Sequence, residues 1–183
     1  MRKCAVEAKV AGISFSKKQL SKVISGGQTG ADQAGLFAAF KCGFETGGQA
    51  PENYWTEHGV CPLLEVFGLV AKGTYKQRTI ANIENSDATI IIGEDLASAG
   101  SKLTFSICKN VNKPCLRIQI FKDQKHSIED VQQICNFIQE HEVVTLNIAG
   151  NRERYKNSTI FLRTKNLLIE AFTNLQEVYA TNI

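Results

Sequence analysis

The chain has 183 residues, 43% of them hydrophobic, with 21 basic side chains against 18 acidic ones. That length suits one domain with a sizeable core. The charge is too balanced for a nucleic-acid binder or a protein of anionic membrane surfaces, and no apolar run reaches membrane-spanning length.

Residues 1–20 carry Arg2, Lys3, Lys9, Lys17 and Lys18 with only Glu7 opposing them. They read as a disordered or loosely attached extension, with an organelle-targeting peptide as the alternative. One folded domain is expected over residues 21–183. Cys4, Cys42, Cys61, Cys108, Cys115 and Cys135 form no C-x-x-C pair and no Cys/His zinc spacing, so no metal site is expected. Reduced thiols without a secretory signal point to the cytoplasm.

The first structured stretch organises the rest. Lys22 to Ile24 reads as a strand, Ser25 to Gly30 as a glycine-rich turn, and Ala31 to Lys41 as a helix. Strand, glycine turn and helix open a mononucleotide-binding unit. Glycines let the backbone turn sharply and approach a ligand, and Gly27 is expected to make that approach. The helix start offers free N–H groups and partial positive charge, which suit a phosphate. The turn is neither Gly-x-x-x-x-Gly-Lys-Ser/Thr nor Gly-x-Gly-x-x-Gly. Asp32, in the first helical turn, competes for the same N–H groups, holds a ribose hydroxyl, or caps the helix. The helix dipole there favours its ionised form.

Cys42-Gly43 ends this helix. Phe44 to Thr46 is a short strand running into Gly47-Gly48. Residues 49–62 read as an irregular loop of the length that is often functional. In it, Tyr54 and Trp55 either stack on a planar ligand or pin the loop. Tyr75 to Ser86 reads as a helix with Arg78 and Asn82 on one face. Ala88 to Gly93 is the clearest strand, β-branched and unbroken, as a sheet covered on both faces demands. Another glycine turn, Ala99-Gly100-Ser101-Lys102-Leu103-Thr104, enters a helix reaching about Asn110, and Pro114 stops it. Cys115 to Phe121 alternates as a strand. Ser127 and Asp130 form a helix start, followed by the apolar stripe Val131, Ile134, Cys135 and Ile138. Val143 to Gly150 is the last strand and Leu162 to Leu175 the last helix.

This alternation predicts an α/β, Rossmann-like domain, a mostly parallel sheet with helices on both faces. Nearly every strand ends in small residues: Gly26-Gly27, Gly47-Gly48, Gly93 and Ala149-Gly150. Ligands of open α/β sheets bind outside the carboxyl ends of the strands, so these glycines mark the ligand edge.

With those residues in view, the chain resembles a known family. The runs I-S-G-G-Q-T-G-A-D-Q-A, G-G-Q-A-P, Y-K-Q-R-T-I-A-N-I-E-N-S-D-A-T-I-I-I, G-S-K-L-T and L-N-I-A-G-N-R-E are similar to those of the molybdenum carrier family. That family belongs to the SLOG superfamily, with the lysine decarboxylase-like phosphoribohydrolases and DNA-processing protein A. The resemblance covers Lys22 to Phe172. It implies a Rossmann-like fold holding a nucleotide, or a molybdenum cofactor or related pterin, over the glycine loops. Two positions depart from the family pattern. A basic C-P-K-G-R stretch is replaced by Ala50-Pro51-Glu52-Asn53-Tyr54, and a proline after Gly150 is replaced by Asn151. The hydrolases' P-G-G-x-G-T-x-x-E motif is missing.

Three functions compete. In the first, a binding protein holds phosphate or ribose on the backbone of Gly26, Gly27, Gln28, Thr29 and Gly30, with Gly47 and Gly48 beside them. Asp32 then accepts from a hydroxyl, and Arg78 and Asn82 reach polar groups. Gly100, Ser101 and Thr104 close the phosphate side, and Arg152 adds charge. The bland alternative for Arg78 is an ion pair with Glu84 or Asp87. The second function is cleavage of the N-glycosidic bond of a nucleoside monophosphate, with Asp32 and Glu153 as the candidate carboxylates. The third is a regulatory subunit with an emptied site. The expected partners are a small nucleotide-like molecule and further copies of the chain in a dimer or tetramer.

Overall fold

The structure is a computed structural model and describes residues 18–153 and 159–181. Most of the expected N-terminal extension, residues 1–17, lies outside the described residues. Six parallel strands form the sheet: β1 (Lys22–Ser25), β2 (Glu45–Ala50), β5 (Leu69–Ala71), β6 (Ala88–Gly93), β7 (Cys115–Gln119) and β8 (Thr145–Gly150). A two-stranded antiparallel hairpin, β3 (Trp55–Thr56) and β4 (Gly59–Val60), stands apart. The helices are α1 (Ala31–Lys41), α2 (Leu63–Val66), α3 (Tyr75–Glu84), α4 (Ala99–Asn110), α5 (Ile128–Glu140) and α6 (Ile160–Thr181).

Local chemistry accounts for several boundaries. Ser127 accepts from the Asp130 backbone N–H while the Asp130 carboxylate accepts from Ser127, which closes a capping box at the start of α5. Thr74 and Gln77 do the same for α3. All six residues of β6 are buried, as a central parallel strand covered on both faces requires.

The sheet order is β5-β2-β1-β8-β6-β7. Moving outward from β8, strands follow in chain order on both sides: β1, β2, β5 one way and β6, β7 the other. The chain therefore reverses direction across the sheet at β8, and the crevice at such a switch point is where open α/β sheets take ligands. The larger core packs Val23, Ile90, Ile92, Leu146 and Ile148 of the sheet against α1, α5 and α6. Phe172 of α6 is fully buried there, and truncating such a ring to alanine costs about 3–5 kcal/mol. A smaller cluster, Ile83, Ile107 and Cys108, sits under α3 and α4.

Three expectations need correction, and one strand was not anticipated. Gly47 and Gly48 lie inside β2 rather than after it. Gly48 has φ +122°, and a Cβ there would stand 2.3 Å from the Ser25 carbonyl oxygen, so glycine lets β2 close on β1. The stretch 49–62 holds the end of β2, a 3-10 turn and the β3–β4 hairpin rather than irregular loop. Strand β5 has only three residues, too few to show a period. Gly100 sits in the first turn of α4, whose cap is Ser98, so it belongs to the helix and not to a turn before it.

Candidate functional site

At the carboxyl ends of β1 and β8, between α1, α3 and α4, a cleft of about 100 Å³ opens. Its lining brings together eight of the residues expected from the sequence: Gly26, Gln28, Asp32, Arg78, Asn82, Gly100, Thr104 and Arg152. Tyr75, Thr79, Leu103, Asn147, Ala149 and Gly150 complete it. Asn147 had a legible signal, a polar residue between Leu146 and Ile148 in an otherwise apolar strand. Tyr75 lies three residues before Arg78, on the same helix face.

The centre of the cleft is a buried ion pair. Arg78 Nη1 donates to Asp32 Oδ2 at 3.1 Å, and the two side chains are 11% and 7% exposed. The partner of Arg78 is thus Asp32, 46 residues away, and not Glu84 or Asp87. Asp87 instead accepts from the backbone N–H groups of Val144 and Thr145 and fixes the start of β8. Gly26 is glycine because of this pair. A Cβ on it would lie 1.1 Å from Arg78 Nη1, so the guanidinium rests on the bare Cα.

Burial pushes the Asp32 carboxyl above the usual carboxylate range, against the opposing pull of Arg78 and the Gln28 backbone N–H. Desolvation, not the helix dipole, sets the direction of its shift. Arg78 Nε is buried and has no protein partner, and neither has Gln28 Oε1. Gln28 Nε2 donates to the Trp55 carbonyl at 3.0 Å. At the mouth, Arg152 Nε pairs with Glu57 at 2.8 Å. The guanidinium carbons of Arg78 and Arg152 lie 5.6 and 5.1 Å from the Tyr75 ring centroid, within cation–π range.

Many of the expected residues make contacts within the protein. Three N–H groups at the glycine loop and the start of α1 are occupied internally. Gly27 N–H donates to Ser25 Oγ, Gln28 N–H to Asp32 Oδ2, and Ala31 N–H to the Asn151 carbonyl. Gly27, at φ +74°, faces Leu64 and Leu69, not the cleft. Thr29 donates to Glu57. Gly30 backs onto the Asn151–Glu153 backbone. Gly47 and Gly48 line a separate hollow beside Lys22 and Lys72. Asn82 borders the cleft, but its amide is engaged with both backbone groups of Gln49. Thr104 donates to Gly100 O within its own helix. Glu153 accepts from the Phe161 N–H at 2.8 Å and so caps α6, outside the cleft lining. Tyr54 pins its segment by donating to Leu69 O, and Trp55 contributes its carbonyl.

Asn151 was not anticipated as a structural hub. Its side chain bonds both backbone groups of Asp95 and reaches Ser98 and Ser101. Ser101 is thus hydrogen-bonded to Asn151 and Ser98 and lies outside the cleft lining. Among the described residues, no helix is long and apolar enough to cross a membrane, and no group of three or more His, Cys, Asp or Glu could hold a metal ion.

Fold and site together define a Rossmann-like protein with a polar, arginine-centred crevice at its topological switch point. Residues 23–172 match the model of the circularly permutated YpsA SLOG family, and the chain belongs to that family. The position of the last strand β8 beside β1 and β6 agrees with a permuted order. A solved structure described as "Putative molybdenum carrier protein" from Syntrophus aciditrophicus SB is 37% identical over 85% of this chain and 96% of that one, with a TM-score of 0.74. No curated protein matches the chain.

Proposed function

We propose that the chain is a binding protein for a small phosphorylated, nucleotide-like molecule, held in the cleft between α1, α3 and α4, with slow turnover or none. The observation that carries this reading is the unpartnered Nε of Arg78. A buried donor on a cation without an acceptor is costly, and an anionic oxygen entering the cleft removes that cost. The cleft's volume of about 100 Å³ suits a phosphoryl group with part of a sugar. The planar remainder would lie over Tyr75, which is 40% exposed at the mouth.

The name of the relative from Syntrophus aciditrophicus invites a molybdenum cofactor or pterin as the ligand. The cleft fits the organic part of such a group, since guanidinium and amide suit a phosphate and a polar ring edge. Its lining contains no cysteine or histidine to ligate the metal directly. Hydrolysis draws less support, because Asp32 is the only carboxylate in the lining and Arg78 is bound to it.

Native mass spectrometry of gently purified protein tests the proposal. The expected result is a retained phosphorylated small molecule in the wild type and none in Arg78→Met. A ligand retained equally by both proteins would overturn the assignment to this cleft. Rapid release of free base from nucleoside monophosphates, lost in Asp32→Asn, would replace binding by catalysis.

A further inference from the structure

Gln28 is nearly fully buried, at 2% exposed, and borders the cleft. Its Nε2 donates to the Trp55 carbonyl, which fixes the orientation of the amide, because the opposite orientation would set two acceptors against each other. Oε1 is left as a buried acceptor with no partner. It can accept from an N–H or O–H, and Arg78 Nε on the same lining is a donor that lacks an acceptor. The two are not hydrogen-bonded to each other, so both are left for a ligand. The Trp55 carbonyl is itself held by the β3–β4 hairpin, which Thr56 closes by donating to Gly59 O at 2.8 Å.

Resting on the binding reading above, we infer that Gln28 is the specificity-determining residue of the cleft. Its Oε1 selects ligands that carry a hydrogen-bond donor as well as an anionic group, and the hairpin positions it through the Trp55 carbonyl. In a nucleotide that donor has two sources, a sugar hydroxyl or an exocyclic amine of the base. A site built to satisfy a polar partner discriminates strongly against analogues that lack it, because the buried acceptor then stays unpaired.

The test uses full-length protein and three probes in calorimetric titrations: adenosine 5′-monophosphate, its 2′,3′-dideoxy analogue, and purine riboside 5′-monophosphate, which lacks the amine. Wild type is expected to bind one of the two analogues roughly 10- to 100-fold more weakly than the parent. The weak analogue identifies which donor Gln28 reads. In Gln28→Met, of similar length and without a polar atom, that preference should fall to within about threefold, with the donor-lacking analogue still bound. Equal binding of all three probes by wild type would overturn the inference and needs no variant, as would a preference that survives in Gln28→Met. If wild type binds none of the probes, the nucleotide reading fails first and the inference falls with it. If the probes bind without discrimination, the inference alone fails.

Discussion

Replacing Gly26 by alanine should break the Asp32–Arg78 pair without touching either charge. The new methyl would lie 1.1 Å from Arg78 Nη1, 2.4 Å from its Cζ and 2.8 Å from Asp32 Oδ2. Non-bonded heavy atoms settle near 3.5 Å, so the guanidinium must retreat by about 2 Å. That takes a 3.1 Å contact out of hydrogen-bonding range. Breaking a buried pair typically costs about 3–5 kcal/mol, because the remaining charge stays uncompensated. Arg78 has a long side chain that can follow the cleft to solvent, so the lower end, about 3 kcal/mol, is expected, or a melting temperature lower by about 6–12 °C. The penalty should depend on pH. Burial already raises the Asp32 pKa in the folded protein. Its contribution to stability is therefore full below the ordinary carboxylate range and is lost as pH rises through the raised value. Without Arg78 the pKa rises further, so Gly26→Ala should be more damaging at pH 8 than at pH 5. Urea unfolding followed by circular dichroism at both pH values gives the comparison. In an Asp32→Asn background the penalty should shrink and its pH dependence vanish. A loss below about 1 kcal/mol, or an equal loss in both backgrounds and at both pH values, would refute the pairing argument.

Gly27→Val should act on stability rather than affinity. It places a β-branched residue at φ +74° with its Cβ 2.8 Å from Leu64 and 2.9 Å from Leu69. The backbone term alone costs about 1–2 kcal/mol, and thermal denaturation alongside ligand titration separates the two effects. Asn151→Ala removes the bonds to Asp95, Ser98 and Ser101. It should cost about 1–3 kcal/mol and expose the Asp95 amide to hydrogen exchange. Glu153→Gln should lower stability by about 0.5–1 kcal/mol through the weakened α6 cap and leave ligand affinity unchanged. An affinity loss in that variant would return Glu153 to the site. Gly100→Ala, where a Cβ meets open space, should stabilise α4 by up to about 1 kcal/mol, read as a raised melting temperature.

Local signals in the chain were enough for the architecture. The β-branched run Ala88–Gly93, the Ser127–Asp130 cap and the apolar stripe after it each report a period or a boundary that the backbone must obey, and they appear as β6 and α5. The glycine turn after β1 also pointed to the end of the sheet where the cleft opens, because βα turns at carboxyl ends need small residues wherever the chain reverses. What those signals could not carry was the occupant of each vacated space. Gly26, Gly27 and Gly48 look alike in sequence, yet the first makes room for Arg78, the second for Leu64 and Leu69, and the third for the backbone of β1. The same holds for charge. Asp32 and Glu153 were equivalent candidates until folding buried one against Arg78 and turned the other to the end of α6. Strand β5 was too short to declare itself and exists because β2 offers it a parallel edge. Periodicity and turn chemistry act over a few residues and can be read along the chain. Ion pairing, desolvation and the filling of a missing Cβ act between segments that only the folded sheet brings together.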